Sequence, residues 1–267
     1  MDDRTVIGRA AAILDAVAGH DHPVTLAELT AAVGMPKPTV RRIAADLVAR
    51  RYLERDADGY RLGAHLLELG VRVAEQHGLR IAAVPHLQDL FARTGEIAWV
   101  ITFTTNTFTI VDAAFGRSRA EDIAKRGWPS DLRSTAVLAS AAGRVLAAES
   151  PELLASLRSQ RLRRFTSATV VSWNRMDEIL KSVRDTGVAI EHDQLGAGYG
   201  CIATALRDGY GTAVGILGVT GRTGGFQPIR LSRALQTAAD DIGQRLTGPE
   251  IRKPVPLSRT EPQALRE

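Results

Sequence analysis

The feature that most constrains the fold is a pair of helical segments separated by three residues, between residues 25 and 53. Thr25 and Glu28 have the spacing of a capping box, in which each side chain accepts a hydrogen bond from the other's backbone amide. Residues 34–36, Gly-Met-Pro, interrupt the apolar spacing because glycine and proline disfavour a continuing helix. The spacing resumes at Lys37 in KPTVRRIAADLVARRYL. Two helices joined by so short a break are typical of a helix-turn-helix.

A helix before this pair and a ribbon after it complete a recognisable order. Residues 5–18 have helical apolar spacing, whereas residues 52–56 and 60–62 resemble two short strands. Asp58-Gly59, between those strands, is a strong signal for a tight turn. The order helix, helix, turn, helix, ribbon predicts a winged helix-turn-helix, which is a DNA-binding fold.

Positive charge is concentrated on the third of these helices. Residues 37–55 include six basic and two acidic side chains, whereas residues 1–62 contain nine of each. In a helix-turn-helix the amino end of the second helix enters the major groove, where arginine matches guanine and threonine can meet a base edge or a phosphate. The sequence therefore predicts DNA contacts by Lys37, Thr39, Arg41 and Arg42, with a phosphate contact from the ribbon by Arg61.

Two of these arginines are expected to act differently. Helical spacing turns Arg41 and Arg42 about 100° apart, so we expect Arg41 to read bases and Arg42 to contact phosphate. The alternative interpretation is an exposed basic helix with ordinary solvation. Charge alone favours that alternative, but the order of the elements favours DNA binding.

The segment after the ribbon is predicted to be a further helix, residues 64–78. It carries an apolar stripe with two neighbours beside it: Leu66, Leu69 and Val73, with Leu67 and Gly70. The stripe either packs onto the chain's own domain or pairs with a second subunit, and the spacing leaves both interpretations open.

The rest of the chain alternates helices with strands. Helices are expected at 80–94, 135–148, 174–187 and 230–247, and strands at 97–104, 107–113, 188–192, 201–206 and 212–220. Strands flanked by helices predict an α+β domain. Prolines from residue 249 onward predict a disordered tail over residues 249–267.

Composition limits the classes of function. The chain has 267 residues, of which 45% are hydrophobic, and this length suggests about two domains. No apolar run reaches the length of a membrane helix, and the first residues lack the pattern of a signal peptide. A single cysteine cannot form an internal disulfide, so we expect a cytoplasmic protein. His20 and His22 lack a second pair of ligands at a fitting spacing, so neither a metal nor a cofactor is predicted.

Several stretches resemble the IclR family of bacterial transcription regulators. TLAELTAAVGMPKPTVRRIAADLVARRYLERDADGYRLG resembles the family's N-terminal domain. GVAIEHDQLGAGYGCIATALRD and AVGILGVTGRTGGFQPIRL resemble its signature around a common cysteine, and STAVLASAAGRVLAA resembles its Ala/Gly-rich helix. The resemblance covers residues 5 to 247 in the right order.

The resemblance implies an α+β architecture with a winged helix-turn-helix (1–63), a linker and dimerisation helix (64–79) and a GAF-like effector-binding domain (80–248). It also implies that the protein binds a palindromic double-stranded DNA operator as a homodimer or a dimer of dimers. A small organic metabolite, aromatic or carboxylic, would modulate the affinity. Whether such a protein represses or activates is left open.

By position in the resembling segments, the resemblance implies that five residues lie near the effector: Ser140, Glu191, Cys201, Gly218 and Thr220. Each has a simpler explanation, since Cys201 is a small buried residue in most proteins and Ser140 could bond its own backbone. An enzyme is the alternative function, with Cys201 as nucleophile and His192 and Asp193 nearby. No local nucleophile motif supports it.

Gly218 departs from the family's pattern. The strand that often ends Ser-x-Ser-Gly reads Gly-Val-Thr-Gly here, from Gly218 to Gly221. The change removes a hydroxyl and is expected to add space to the pocket. One interpretation is a bulky or partly apolar ligand rather than a two-carbon acid, because a missing hydrogen-bond partner costs a small acid about 1–3 kcal/mol. The alternative is that Gly218 only eases strand packing and contacts no ligand.

Overall fold

Two units form the protein, and they divide between Ala74 and Glu75. The computed structural model describes residues 5–104, 107–119 and 130–246. The predicted tail, residues 249–267, lies outside the described residues. None of the described helices is long and apolar enough to cross a membrane.

The N-terminal unit has the predicted order of elements: α1 (Val6–Ala18), α2 (Leu26–Val33), α3 (Lys37–Ala49), β1 (Leu53–Arg55), β2 (Tyr60–Leu62) and the first part of α4 (Ala64–His77). The apolar faces of α1, α2 and α3 meet in one core that includes Ile13, Leu29 and Val40, each fully buried. This core holds α3 by one face only, so the opposite face of α3 remains at the surface.

Local signals fix the boundaries of α2. Its capping box is complete, because the Glu28 amide donates to Thr25 Oγ1 over 3.3 Å and the Thr25 amide donates to Glu28 Oε2 over 2.8 Å. The bond from the Thr25 amide, together with a second one from the Thr25 hydroxyl to the same carboxylate oxygen, lowers the pKa of Glu28. Gly34 ends the helix in the left-handed conformation, with φ of 63°. The predicted turn between α2 and α3 is therefore confirmed.

The ribbon turn depends on a side chain and on a close backbone approach. Asp56 Oδ1 accepts hydrogen bonds from the Asp58 and Gly59 amides over 2.9 and 3.0 Å. Gly59 has φ of 148°, and a Cβ there would lie 2.6 Å from the carbonyl oxygen of Val24. Only glycine allows this approach, by which Val24 pairs with Tyr60 alongside the ribbon.

The C-terminal unit contains a five-stranded antiparallel sheet in the order β4-β3-β7-β6-β5. The strands are β3 (Ile97–Phe103), β4 (Phe108–Ala114), β5 (Val188–His192), β6 (Tyr199–Arg207) and β7 (Ala213–Arg222). Its helices are α5 (Leu79–Thr94), α6 (Ala141–Glu149), α7 (Pro151–Leu157), α8 (Trp173–Thr186) and α9 (Ser232–Arg245), with 3₁₀ turns at Thr135–Ala139 and Pro228–Leu231. Helices α5 and α9 pack on one face of the sheet, and α6 and α8 pack on the other. The predicted α+β class is confirmed.

Two predicted helices need correction, and a third helix was not predicted. The expected helix over residues 135–148 is broken at Ser140, whose backbone is extended with φ of −99° and ψ of 152°. Helix α7 was not predicted, and the expected helix over residues 230–247 begins with a 3₁₀ turn. The close approach of the 3₁₀ turn to α6 requires glycine at position 143, because a Cβ there would lie 2.0 Å from the carbonyl oxygen of Val137. Gly143 therefore permits the 3₁₀ turn to fold back onto the first turn of α6.

Candidate functional site

An exposed basic depression covers the outer face of α3. Lys37, Pro38, Arg41, Arg42 and Ala45 line it, and its volume is about 440 Å³. The depression arises because the core side of α3 is occupied by the apolar residues Val40, Ile43, Ala44 and Leu47. Pro38 and Ala45, which have short side chains, line the depression between the three cations.

The three cations of this depression are unneutralised. Within the described parts of the chain, Lys37, Arg41 and Arg42 form neither an ion pair nor a side-chain hydrogen bond. Thr39 differs from them, because it is half-buried and does not line the depression. An uncompensated cluster of donors on a helix-turn-helix is suited to bind phosphates and base edges.

Arg61 of the ribbon, which was predicted to contact phosphate, already has a partner within the protein. Arg61 forms an ion pair with Asp56, with 3.4 Å between Arg61 Nε and Asp56 Oδ2. Backbone hydrogen bonds from Asp58 and Gly59 lower the pKa of Asp56, and Arg61 adds to this effect. The carboxylate therefore remains opposite Arg61 at neutral pH, and Arg61 is a weaker candidate for phosphate binding than the α3 cations.

The first turn of α4 is attached to the base of the ribbon. Glu68 accepts hydrogen bonds from Arg51 Nη2 over 2.6 Å and pairs with His65 Nδ1 over 2.9 Å. These contacts, with His65 first, lower the pKa of Glu68. The rings of His65 and Tyr52 also meet edge to face, 5.0 Å apart. The start of α4 is thus held in a fixed direction relative to the winged helix-turn-helix.

A small cavity lies in the C-terminal unit between the start of α6 and the sheet. Its lining residues are Ser140, Ala142, Glu191, Leu195, Gly196, Cys201 and Thr220. Four of the five predicted effector residues are therefore brought together. The cavity volume is about 20 Å³, which is room for about one water molecule.

Gly218 is the predicted residue that does not line the cavity, and the extra space expected there is absent. Gly218 faces Trp99 across the β3–β7 pair, and a Cβ at Gly218 would lie 2.2 Å from Trp99 Cζ2. The indole is only 2% exposed and donates from Nε1 to Thr220 Oγ1 over 2.9 Å. The expectation of added volume was wrong, because the tryptophan ring fills it.

Ser140 is the N-cap of α6. Its hydroxyl donates to the carbonyl oxygen of Val137 over 2.7 Å and accepts from the Gly143 amide over 3.0 Å. The simpler interpretation, in which Ser140 bonds its own backbone, is therefore part of the structure. The same side chain still borders the cavity, and the first-turn amides of α6 lie at the positive end of the helix.

Thr220 and Cys201 are opposite each other on β7 and β6. The Thr220 hydroxyl donates to Cys201 Sγ over 3.3 Å while it accepts from Trp99. Cys201 Sγ makes a long contact of 3.8 Å to the carbonyl oxygen of Ile202. The thiol is buried in this network, 6% exposed.

A buried arginine supports the cavity from α6. Arg144 is 1% exposed, and its guanidinium donates to the carbonyl oxygens of Leu138 over 2.9 Å and Ile190 over 3.0 Å. A third bond joins Nη2 to Gln194 Oε1. Because an isolated buried charge is costly, these three acceptors explain how the side chain is tolerated inside the unit.

Arg144 keeps its positive charge in this buried environment. Burial lowers the pKa of Arg144 to about 10, and the nearby Glu191 and Cys201 act in the opposite direction. At this pKa the guanidinium stays protonated at neutral pH. Glu191 Oε2 in turn accepts from the Gln194 amide over 3.0 Å, so Arg144 and Glu191 are linked through Gln194.

The loop that contributes Leu195 and Gly196 to the cavity lining is held by two threonines. Thr166 Oγ1 donates to the carbonyl oxygen of Asp193, and Thr169 Oγ1 donates to that of Gln194 over 2.6 Å. Asp193 has φ of 56°, an uncommon conformation for a residue other than glycine. Leu195 and Gly196 follow directly in the chain and line the cavity.

The geometry does not provide the pair that the enzyme alternative requires. In the β5–β6 register Glu191 is opposite Cys201, and His192 is opposite Gly200. Successive side chains of a strand point to opposite faces, so His192 and Cys201 lie on different faces of the sheet. His192 can therefore not serve as the base for this thiol.

The loop histidines bind their own backbone. His20 Nδ1 lies 2.8 Å from the carbonyl oxygen of Ala16, and His22 Nδ1 lies 3.0 Å from that of Pro23. Across residues 5–104, 107–119 and 130–246, no group of three or more His, Cys, Asp or Glu side chains could hold a metal ion.

Two residues of the cavity network were missed by the sequence analysis. Neither Arg144 nor Trp99 was assigned a role from the sequence. A weak signal for Arg144 exists, because it is the one charged residue in a run of small apolar ones, residues 135–148. Trp99 pairs with Gly218, which is 119 positions away in the chain, and only the sheet register shows this contact.

Comparison with known proteins extends over both units. The family described as bacterial transcriptional regulator IclR C-terminal matches residues 71–244, and the IclR helix-turn-helix domain matches residues 6–57. The glycerol operon regulatory protein of Streptomyces coelicolor is 29% identical over 215 residues, 80% of this chain and 83% of that protein. The transcriptional regulator BhcR of Paracoccus denitrificans is 30% identical over 247 residues, 90% of this chain and 85% of its own.

Solved structures agree on the fold. An IclR homolog from Microbacterium hydrocarbonoxydans, complexed with 4-hydroxybenzoate, has a TM-score of 0.76 at 22% identity and covers 91% of this chain and 99% of that chain. The family matches include the helix-turn-helix that carries the basic depression and the C-terminal unit that encloses the cavity. The chain therefore belongs to the IclR family of bacterial transcriptional regulators.

Proposed function

We propose that α3 enters the major groove of an operator and that a small organic metabolite in the cavity changes operator affinity. The observation that carries the first part is the unneutralised cluster of Lys37, Arg41 and Arg42 on the exposed face of α3. A cation without an intramolecular partner loses no ion pair when it binds a phosphate or guanine. Because DNA is the partner, the protein works in the bacterial cytoplasm.

A homodimer fits the apolar residues that the N-terminal unit leaves exposed. On α4, Leu67 is 71% exposed and Leu69 is 38% exposed, whereas on α1 Val6 and Ile7 are 78% and 82% exposed. Such side chains are costly in water, and a second copy of the chain would cover them. A two-fold dimer presents two copies of α3, which supports a palindromic operator, and pairing of two dimers is compatible with this.

The cavity supports a regulatory ligand rather than a substrate. It combines a helix N-terminus, hydroxyls and a carboxylate, which are groups that bind an oxygenated metabolite without reacting with it. The relative from Streptomyces coelicolor regulates a glycerol operon, and the Microbacterium homolog holds 4-hydroxybenzoate. At about 20 Å³ the cavity is smaller than 4-hydroxybenzoate, so a ligand of that size would bind only if the lining loop at Leu195 and Gly196 moves.

This movement provides a route for control. A ligand changes operator affinity only if it binds one arrangement of the protein better than another. We propose that α4 transmits the change, since its first turn is fixed to the ribbon by Arg51, His65 and Glu68. The effector would then alter the direction of the two α3 helices in the dimer.

Selection of binding sites from random DNA tests the proposal. We expect a symmetric sequence with two half-sites, and a log–log plot of affinity against salt with a steep negative slope. A metabolite screen by thermal shift should then yield a compound that changes operator affinity at least five-fold. Enrichment of no sequence, or binding of an asymmetric site by a monomer, would contradict the proposal.

A further inference from the structure

The protons of the cavity's hydroxyl groups are already used inside the protein. The Ser140 hydroxyl directs its only proton to the carbonyl oxygen of Val137 over 2.7 Å and one lone pair to the Gly143 amide. A hydroxyl has one proton and two lone pairs. What Ser140 can offer to a ligand is therefore its second lone pair, which is an acceptor.

Thr220 shows the same polarity. Its oxygen accepts from the Trp99 indole over 2.9 Å, and its proton is directed to Cys201 Sγ over 3.3 Å. Sulfur is a weak acceptor, so a ligand oxygen could redirect this proton more easily than that of Ser140. With both of these bonds in place, the Thr220 oxygen keeps one lone pair and has no proton left to donate.

Glu191 adds the strongest acceptor. Its side chain is 5% exposed and lines the cavity. It also lies close enough to Arg144 to raise the pKa of the guanidinium, against the lowering that burial causes. Arg144 itself is absent from the lining, so the carboxylate, not the cation, faces a bound molecule. A carboxylate accepts up to about four hydrogen bonds and donates none.

We infer that the effector carries a hydroxyl group, or an equivalent O–H donor, whose proton it donates to the Glu191 carboxylate, the strongest acceptor in the cavity lining. This inference rests on the proposed function and specifies the chemistry of its ligand. A ligand group without a proton would place its oxygen against the carboxylate, which has no hydrogen-bond donor to offer it. The hydroxyl can belong to a neutral polyol or to a hydroxy acid, whose carboxylate would lie at the first-turn amides of α6.

Matched ligands test the inference without changing the protein. Isothermal titration of the full chain compares 4-hydroxybenzoate with benzoate and with 4-methoxybenzoate, which keeps the oxygen but lacks the proton. The pairs glycerate with propanoate and glycerol with 1,2,3-trimethoxypropane, which keeps the three oxygens but lacks their protons, separate the hydroxy-acid source from the polyol source. In the pair that binds, we expect the hydroxylated member to have a Kd about ten- to one hundred-fold lower, the usual effect of one hydrogen bond to a charged group.

A variant then locates the effect. Glu191→Gln replaces one acceptor oxygen by an N–H donor, so the preference for the hydroxylated member should fall about ten-fold. Glu178→Gln, an exposed residue of α8, is the matched control and should leave the preference unchanged. If Glu191→Gln does not fold, the comparison of 4-hydroxybenzoate with 4-methoxybenzoate on the wild-type protein still decides.

Equal affinity for the hydroxylated and unhydroxylated members, or binding by none of the hydroxylated ones, overturns the inference. The proposed function fails by a different result. If benzoate or propanoate binds best and shifts operator affinity, the regulator stands and the hydroxyl requirement falls. If a hydroxylated compound binds with the expected preference but operator affinity does not respond, the ligand chemistry stands and the regulatory coupling falls.

Discussion

The two units use arginine in opposite ways. On α3, Arg41 and Arg42 are exposed and form no ion pair with the described residues, whereas in the C-terminal unit Arg144 is 1% exposed and makes three hydrogen bonds. The first arrangement leaves donors for an external partner, and the second consumes them to support a cavity. An arginine's role therefore follows from which acceptors the fold brings to it, and the predictions below test that difference.

The largest effect is expected for the buried arginine. Arg144→Ala removes the cation that faces Glu191 and leaves three acceptors without their donor, so the C-terminal unit should lose about 3–5 kcal/mol of unfolding free energy. Urea unfolding followed by tryptophan fluorescence measures this unit alone, because all three tryptophans lie after residue 75. The matched variant Arg41→Ala should change the same transition by less than about 0.5 kcal/mol. Similar losses for both variants would remove the distinction between the two arginine environments.

Gly218→Ser should have the next largest effect. The new Cβ would lie 2.2 Å from the Trp99 ring, so the indole must move and its bond to Thr220 must break, at a cost of about 1–3 kcal/mol. Gly225→Ser is the control, since a Cβ there meets nothing within 4 Å. Unfolding by urea, with tryptophan fluorescence as the readout, should separate the two variants. If they are equally stable, Trp99 does not require a glycine at 218.

On DNA, Arg41 and Arg42 should separate by the kind of loss. Arg41→Ala is expected to weaken the operator by about 1–3 kcal/mol and to relax base preference, whereas Arg42→Ala should weaken all sequences similarly and reduce the salt slope by about one. Fluorescence anisotropy on operator and random duplexes measures both quantities. Equal losses on the two duplexes for Arg41→Ala would count against its assignment to bases, and the reverse pattern would exchange the two roles.

The smallest effect is expected at the ribbon. Arg61 is already paired with Asp56, and both side chains are about half exposed, so Arg61→Ala should change operator affinity by less than about 1 kcal/mol. Asp56→Asn sharpens this prediction, because it frees Arg61 and should strengthen DNA binding slightly. A loss for Arg61→Ala as large as that for Arg41→Ala would mean that Arg61 exchanges Asp56 for phosphate in the complex.

The N-terminal unit was largely predictable because its signals are local. Thr25 and Glu28 cap a helix within four residues of each other, and Gly34 and Gly59 mark turns at their own positions. The apolar spacing of α3 also decides which of its faces is buried. None of these inferences needed a contact between distant parts of the chain.

The sequence predicted four of the positions that line the cavity, but not the packing and hydrogen bonds that shape it. The break of the predicted helix at Ser140 depends on the close packing of Gly143 against Val137, which helix propensity does not describe. That Trp99 fills the space beside Gly218 depends on the register of β3 against β7. A charged residue such as Arg144 in a helix is usually solvated, so its burial follows only from the acceptors that the fold gathers around it.

The central claim, that unpaired cations on α3 and not basic charge in general bind the operator, can be tested by one comparison at equal charge. Arg41→Ala/Arg42→Ala and Arg55→Ala/Arg61→Ala each remove two positive charges from the N-terminal unit, but Arg55 lies over the Tyr60 ring and Arg61 is paired with Asp56. Anisotropy titration of the selected operator at one fixed salt concentration should show a loss of about one hundred-fold for the α3 pair and of less than about ten-fold for the ribbon pair. Equal losses for the two double variants would contradict the account.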